Sequence, residues 1–164
     1  QTPNIDALAD EGIFMENFTL QLRKYVVNNI NFTLNENFNA KEQHEIKILP
    51  SFQRTVTKLS ANDVAVRLSV KVDNSDKSLP FSLEAAVTGF FYMENWFDDI
   101  RRRQLLEQSS VTILYPYLRA LVNTVTVNAN IPPYSLPLIN IADLFVKAAS
   151  GQTPAAPGST IIKS

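Results

Sequence analysis

Ile131-Pro132-Pro133-Tyr134 cannot lie inside a helix, because two successive prolines remove two amide donors and crowd the turn before them. Strongly periodic sequence flanks this break on both sides. Upstream, Val111, Leu114, Leu118, Leu121, Val122 and Val125 recur at spacings of mostly three and four, the stripe of an amphipathic helix. Downstream, Asn140 with Asp143 three residues later is placed to cap a second helix. Residues 109–145 therefore read as helix, crossover and helix. The β-branched run over 122–127 favours a strand locally, but the longer periodicity decides for helix.

Before residue 100 the hydrophobic period shortens to two. Phe18, Leu20 and Leu22 alternate, as do Ile30, Phe32 and Leu34, but the alternation is interrupted between the two runs, and a bulge or bend is expected between Tyr25 and Asn28. The Asn-rich run 35–39 reads as a loop. Over 44–49, Ile46 and Ile48 point inward, and Pro50 ends that strand or holds it at an edge. Val64, Val66, Leu68, Val70 and Val72 share one face while Arg67 and Lys71 take the other, so one face is buried and one wet. Residues 73–76 turn, and Phe81, Leu83, Ala85 and Val87 return as a partner strand; Gly89 marks a bulge or a close backbone approach. Strands followed by helices predict an α+β fold: a four-stranded antiparallel sheet with two C-terminal helices, joined by the proline-containing crossover, packed on one face.

The chemistry of catalysis is scarce in this chain. His44 is the single histidine, with Glu42 and Glu45 close by, and reads as a surface strand residue rather than a base or metal ligand. No cysteine is present, which excludes disulfides and thiolate metal sites. The four glycines, at 12, 89, 151 and 158, form no phosphate-cradling loop, so no nucleotide and no other cofactor is expected, and the chain is expected not to be an enzyme. Asp98 and Asp99, adjacent on a helix, diverge by about 100° and suit solvation better than acid–base pairing. Arg101-Arg102-Arg103 sits among Asp98, Asp99 and Glu107 and reads as a solvated helix face, and a net charge of −1 gives no reason for nucleic-acid or anionic-membrane binding. With no run of about 18 apolar residues and no basic-then-apolar leader, a cytoplasmic protein without membrane insertion is expected. At 164 residues and 45% hydrophobic, the chain has material for one core.

Leu114-Tyr115-Pro116-Tyr117-Leu118-Arg119, followed by Ile131-Pro132, Leu136, Asn140 and Leu144-Phe145, resembles the C-terminal half of the SecB protein-export chaperones, whose pattern reads LFPYAR, FP, L, N and LF. The resemblance runs without gaps over 114–145 and more loosely back to residue 19, where LQLRKYVVNNINF is similar to the family's first strand. Pro137 stands one position earlier than the family's proline, and Ile141 replaces an aromatic, as in a divergent member.

That resemblance implies an ATP-independent holdase for unfolded polypeptides or preproteins, acting in export or in the protection of antitoxins. It implies a client groove between the sheet and the helix–crossover–helix unit, with Phe32, Leu34, Ile46, Ile48, Ile131, Tyr134, Leu136, Leu138 and Ile139 as groove residues; for each, core packing is the alternative role. It also implies a homotetramer, a dimer of dimers, with Leu114, Leu118, Leu121 and Val125 of the long helix at an interface. The family's acidic face for the translocation motor SecA maps onto Asn29, Thr33 and Glu84, of which only Glu84 keeps a carboxylate, so SecA docking is expected to be weak. The alternative is a non-catalytic interaction or assembly module with one fixed partner. Residues 2–12, TPNIDALADEG, resemble a stretch near the amino terminus of sulfatases, but the nucleophile setting of that family, C/S-x-P-x-R, is absent. The expected organisation is a helical extension over 1–17, a SecB-like domain over 18–149 and a disordered tail over 150–164.

Overall fold

The structure, a computed structural model, describes residues 19–39, 45–149 and 160–163. The helical extension expected over 1–17, and His44, lie outside the described residues. The elements run β1 (Gln21–Leu34), β2 (Glu45–Ile48), β3 (Ser51–Lys58), β4 (Asp63–Val72), β5 (Phe81–Tyr92), α1 (Ile100–Asn128), α2 (Ile141–Ala149) and β6 (Thr160–Lys163). Four of the strands form an antiparallel sheet in the order β1-β5-β4-β3. The α+β class, the antiparallel sheet and the two C-terminal helices are as the sequence predicts.

Alternation decides which face of the sheet is buried. Val64, Val66, Leu68, Val70 and Val72 of β4 and Phe81, Leu83, Ala85 and Val87 of β5 are all buried. Against them α1 lays Val111, Leu114, Leu118 and Val122, each 0% exposed. Burying large aliphatic side chains at roughly 1.5–3 kcal/mol each is what holds this layer together. Asp99 caps α1 by accepting the Arg102 amide at 2.8 Å, and Asn130, in the left-handed region at φ 59°, ends it. The β-branched end of α1 is helical because Val122 and Thr126 face the core, where packing outweighs propensity.

The fourth strand of the sheet differs from expectation. It is β3, whereas the strand over 44–49 leaves the sheet and pairs with β6, Ile46 opposite Ile162. β3 is hidden in the sequence because Arg54 and Lys58 occupy its inward register, opposite Leu68 and Val64. Arg54 reaches out of the core to the Glu107 carbonyl at 3.3 Å and lies over the Phe145 ring at 4.9 Å, so its stem packs while its charge is met. The expectation of a disordered tail over 150–164 is corrected at its end: 160–163 form β6, giving the short β2 a partner for its backbone groups. In β1 the register slips between Val27 and Asn29, a bulge at Asn28 within the expected stretch, and again between Leu22 and Lys24. Gly89 is a close approach: a Cβ there would stand 2.6 Å from the Phe91 ring and 2.8 Å from Leu114.

Candidate functional site

Four side chains of α1 fasten the crossover to the helix. Thr126 Oγ1 accepts the Tyr134 amide at 2.9 Å, and Asn123 Nδ2 donates to Ser135 Oγ at 3.2 Å. Arg119 Nε donates to the Leu136 carbonyl at 3.1 Å, and the Tyr115 hydroxyl to the Pro137 carbonyl at 2.7 Å. Residues 115, 119, 123 and 126 fall on one helical stripe, and they meet 137, 136, 135 and 134 in reverse order. The crossover thus runs back along α1 until Asn140 Oδ1 accepts the Asp143 amide at 3.3 Å and α2 begins, as the sequence predicts. Burial pushes the Tyr115 hydroxyl up from 10.0 to about 12, with the Arg119 guanidinium opposing the shift.

Past Pro137 the crossover lifts away from α1. A cleft of about 810 Å³ opens there, lined by Gln108, Thr112, Ile113, Pro116, Leu138 and Ile139 among others. Leu138 is 86% exposed at its rim. An exposed leucine beside half-buried Ile113 and Ile139 is apolar surface that no part of the described chain covers.

The nine groove residues expected from the sequence separate into four groups. Tyr134, Leu136, Ile46 and Ile48 are buried, which corrects their assignment to an open groove: they are core. Tyr134 packs on Phe81 at 5.7 Å between ring centroids, and Phe81 in turn stacks on Phe32 at 5.5 Å. Phe32 and Ile131 are half-buried flanks of that core. Leu138 and Ile139 line the cleft, and Leu34 is exposed elsewhere, at the end of β1. Ile113 and the fastening stripe Tyr115, Arg119, Asn123 and Thr126 are new; the four-, four- and three-residue spacing of polar groups beside the apolar stripe is the signal that marks them.

A second apolar surface lies on the edge strand. The residues of β1 on the core side include Tyr25, Val27, Ile30 and Leu34, each 43–46% exposed. Tyr25 meets Tyr117 of α1 at 4.5 Å, and Tyr117 is itself exposed. Leu114 and Leu118, expected at an oligomer interface, are wholly buried within the chain and have no surface to offer; Leu121 and Val125 are half-buried.

Asn29, Thr33 and Glu84 share the open face of the sheet, away from the helices, as their register pairs Asn29–Ala86, Thr33–Ser82 and Asn31–Glu84 require. Glu84 sits 3.4 Å from Lys71 Nζ, so the one carboxylate of the set is already matched by a cation. Among the described residues no cluster of His, Cys, Asp and Glu suits a metal ion, and no helix is long and apolar enough to cross a membrane.

A four-stranded antiparallel sheet carrying a long helix, a fastened crossover and a short helix, with an apolar cleft and edge left open, defines an α+β class of scaffold. The chain belongs to the SecB family: the family model described as preprotein translocase subunit SecB matches residues 16–152. It is 34% identical over 128 residues to an uncharacterized protein, MJ0357, of Methanocaldococcus jannaschii, covering 76% of this chain and 81% of that one. Its fold is similar to that of the Mycobacterium tuberculosis SecB-like chaperone Rv1957, solved in complex with a ChAD peptide from the HigA1 antitoxin. The TM-score is 0.57 at 14% identity, over 73% of this chain and 90% of that one. Family membership supports a chaperone-type function.

Proposed function

We propose that the chain is an ATP-independent holdase that covers apolar segments of non-native polypeptides in the cleft between α1, the end of the crossover and the start of α2. Leu138 supports it most: an 86% exposed leucine on the rim of an apolar cleft suits a transient partner better than a folding role. Unfolded clients share exposed side chains but no common sequence, so a shallow cleft with several weak contacts fits them better than a closed pocket. The complex of the mycobacterial relative with an antitoxin peptide fits polypeptide binding on this scaffold. Asn29 and Thr33 are uncharged and Glu84 is paired with Lys71, so we infer weak SecA docking and favour client protection, as of an antitoxin, over SecA-coupled export.

We also infer a homo-oligomer, a tetramer built as a dimer of dimers. Tyr25, Val27, Ile30 and Tyr117 make an exposed apolar strip along an edge strand, which a monomer would leave open to uncontrolled pairing.

A competition experiment tests the client reading. A fluorescently labelled unfolded segment bound to the protein should be displaced by unrelated unfolded proteins and not by their native forms. Failure of unrelated chains to compete would favour an assembly module with one fixed partner.

A further inference from the structure

The open face of the sheet carries a charge pattern that neither the core nor the cleft uses. Three rows of side chains cross it. Ser51, Lys71, Glu84 and Asn31 lie in one row, Gln53, Ser69, Ala86 and Asn29 in the next, and Thr55, Arg67, Thr88 and Val26 in the third. Ser69 and Ala86 at the centre of the middle row are short, and the longer cations Lys71 and Arg67 stand on either side of them. The result is a depression of about 260 Å³ lined by Asn29, Gln53, Arg67, Lys71, Glu84 and Ala86 among others. Arg67 is exposed and forms no ion pair among the described residues. Among the described residues Lys71 pairs with Glu84 alone, through side chains that are 56% and 47% exposed, and such a pair is weak and exchangeable.

Toward the far end of the same face Lys24 lies over the Phe90 ring and Arg23 over the Tyr92 ring, each at 4.9 Å. Among the described strand residues of this face, Arg23, Lys24, Arg67 and Lys71 are thus set against Glu84 and Asp63, on a chain whose overall charge is −1.

We propose that this face docks an acidic peptide segment of a partner polypeptide, with one carboxylate seated in the depression between Arg67 and Lys71. A guanidinium presents a planar fork that matches a carboxylate, and the Asn29 and Gln53 amides add neutral donors at the wall. A depression of this size takes one or two side chains, which favours a peptide over a continuous nucleic-acid backbone. The site is distinct from the apolar cleft and does not depend on it.

The test uses the full chain and fluorescence anisotropy with a labelled peptide of alternating Asp and Ser, beside its Asn-for-Asp analogue. The acidic peptide should bind, weaken with added salt and lose about tenfold or more in affinity on Arg67→Glu, while the Asn analogue should not bind. Arg67→Gln should weaken binding in the same direction, and Glu84→Gln, which frees Lys71, should strengthen it. Leu138→Ser should leave it unchanged. Equal binding of the Asn analogue, indifference to Arg67→Glu, or loss on Leu138→Ser would overturn the proposal. Displacement of the peptide by a short single-stranded oligonucleotide at lower concentration than by unlabelled peptide would overturn it in favour of nucleic acid.

Discussion

The Thr126 hydroxyl donates into its own helix, toward the Val122 carbonyl at 3.2 Å and the Asn123 carbonyl at 3.0 Å, and accepts the Tyr134 amide at 2.9 Å. Thr126→Val keeps the shape and strands that buried amide. The change should cost about 1–3 kcal/mol, read as a lowered midpoint in urea unfolding. Tyr115 supplies a pH-dependent counterpart. Its hydroxyl is raised from 10.0 to about 12 in the folded chain, so the folded state holds the proton longer than the unfolded one. The stability this confers is complete below pH 10 and is lost as the pH rises toward 12. Tyr115→Phe should lower stability at neutral pH by about 0.5–1.5 kcal/mol through the lost hydrogen bond, and its loss of thermal stability between pH 10 and 12 should be smaller than that of the parent chain. None of this follows from hydrophobic pattern, because the stripe works through hydroxyl, amide and guanidinium groups that read as solvated.

At the scale of elements, strands whose alternation is clean are legible and those that break it are not. β4 and β5 follow from Val64–Val72 and from Phe81, Leu83, Ala85 and Val87 because every inward position is apolar. β3 escapes the same test, since Arg54 and Lys58 face inward and only the fold supplies Glu107 and the Phe145 ring to meet Arg54. β6 escapes because short strands take their stability from a partner, here β2, distant in sequence. The groove expectation fails for Tyr134 and Leu136 for a related reason: apolar residues in a crossover can face either way, and the fastening by α1 turns these two into the core. Gly89 tests the packing of α1 on β5. A methyl group there meets Phe91 and Leu114, so Gly89→Ala should cost about 1–3 kcal/mol, seen as a lower Tm with the helix content by circular dichroism unchanged.

For the whole molecule, a core filled by one face of the sheet leaves two apolar surfaces open, one on the edge strand and one at the cleft. The first predicts self-association. Sedimentation equilibrium at micromolar concentration should give an oligomer, and Val27→Lys with Ile30→Lys should shift it toward monomer while the α/β circular dichroism signature persists. The second predicts client holding, with affinity spread over several side chains worth roughly 1.5–3 kcal/mol each before ordering costs. Leu138→Ser with Ile139→Ser removes two of them, the first exposed and the second half-buried against the core. The most direct measurement is light scattering as a chemically unfolded protein is diluted into the full chain without nucleotide. The parent chain should suppress aggregation, and the double variant, compared at a temperature where it stays folded and keeps its oligomeric state, should suppress it clearly less. Equal suppression by the two, or none by the parent chain, would contradict client holding at this cleft.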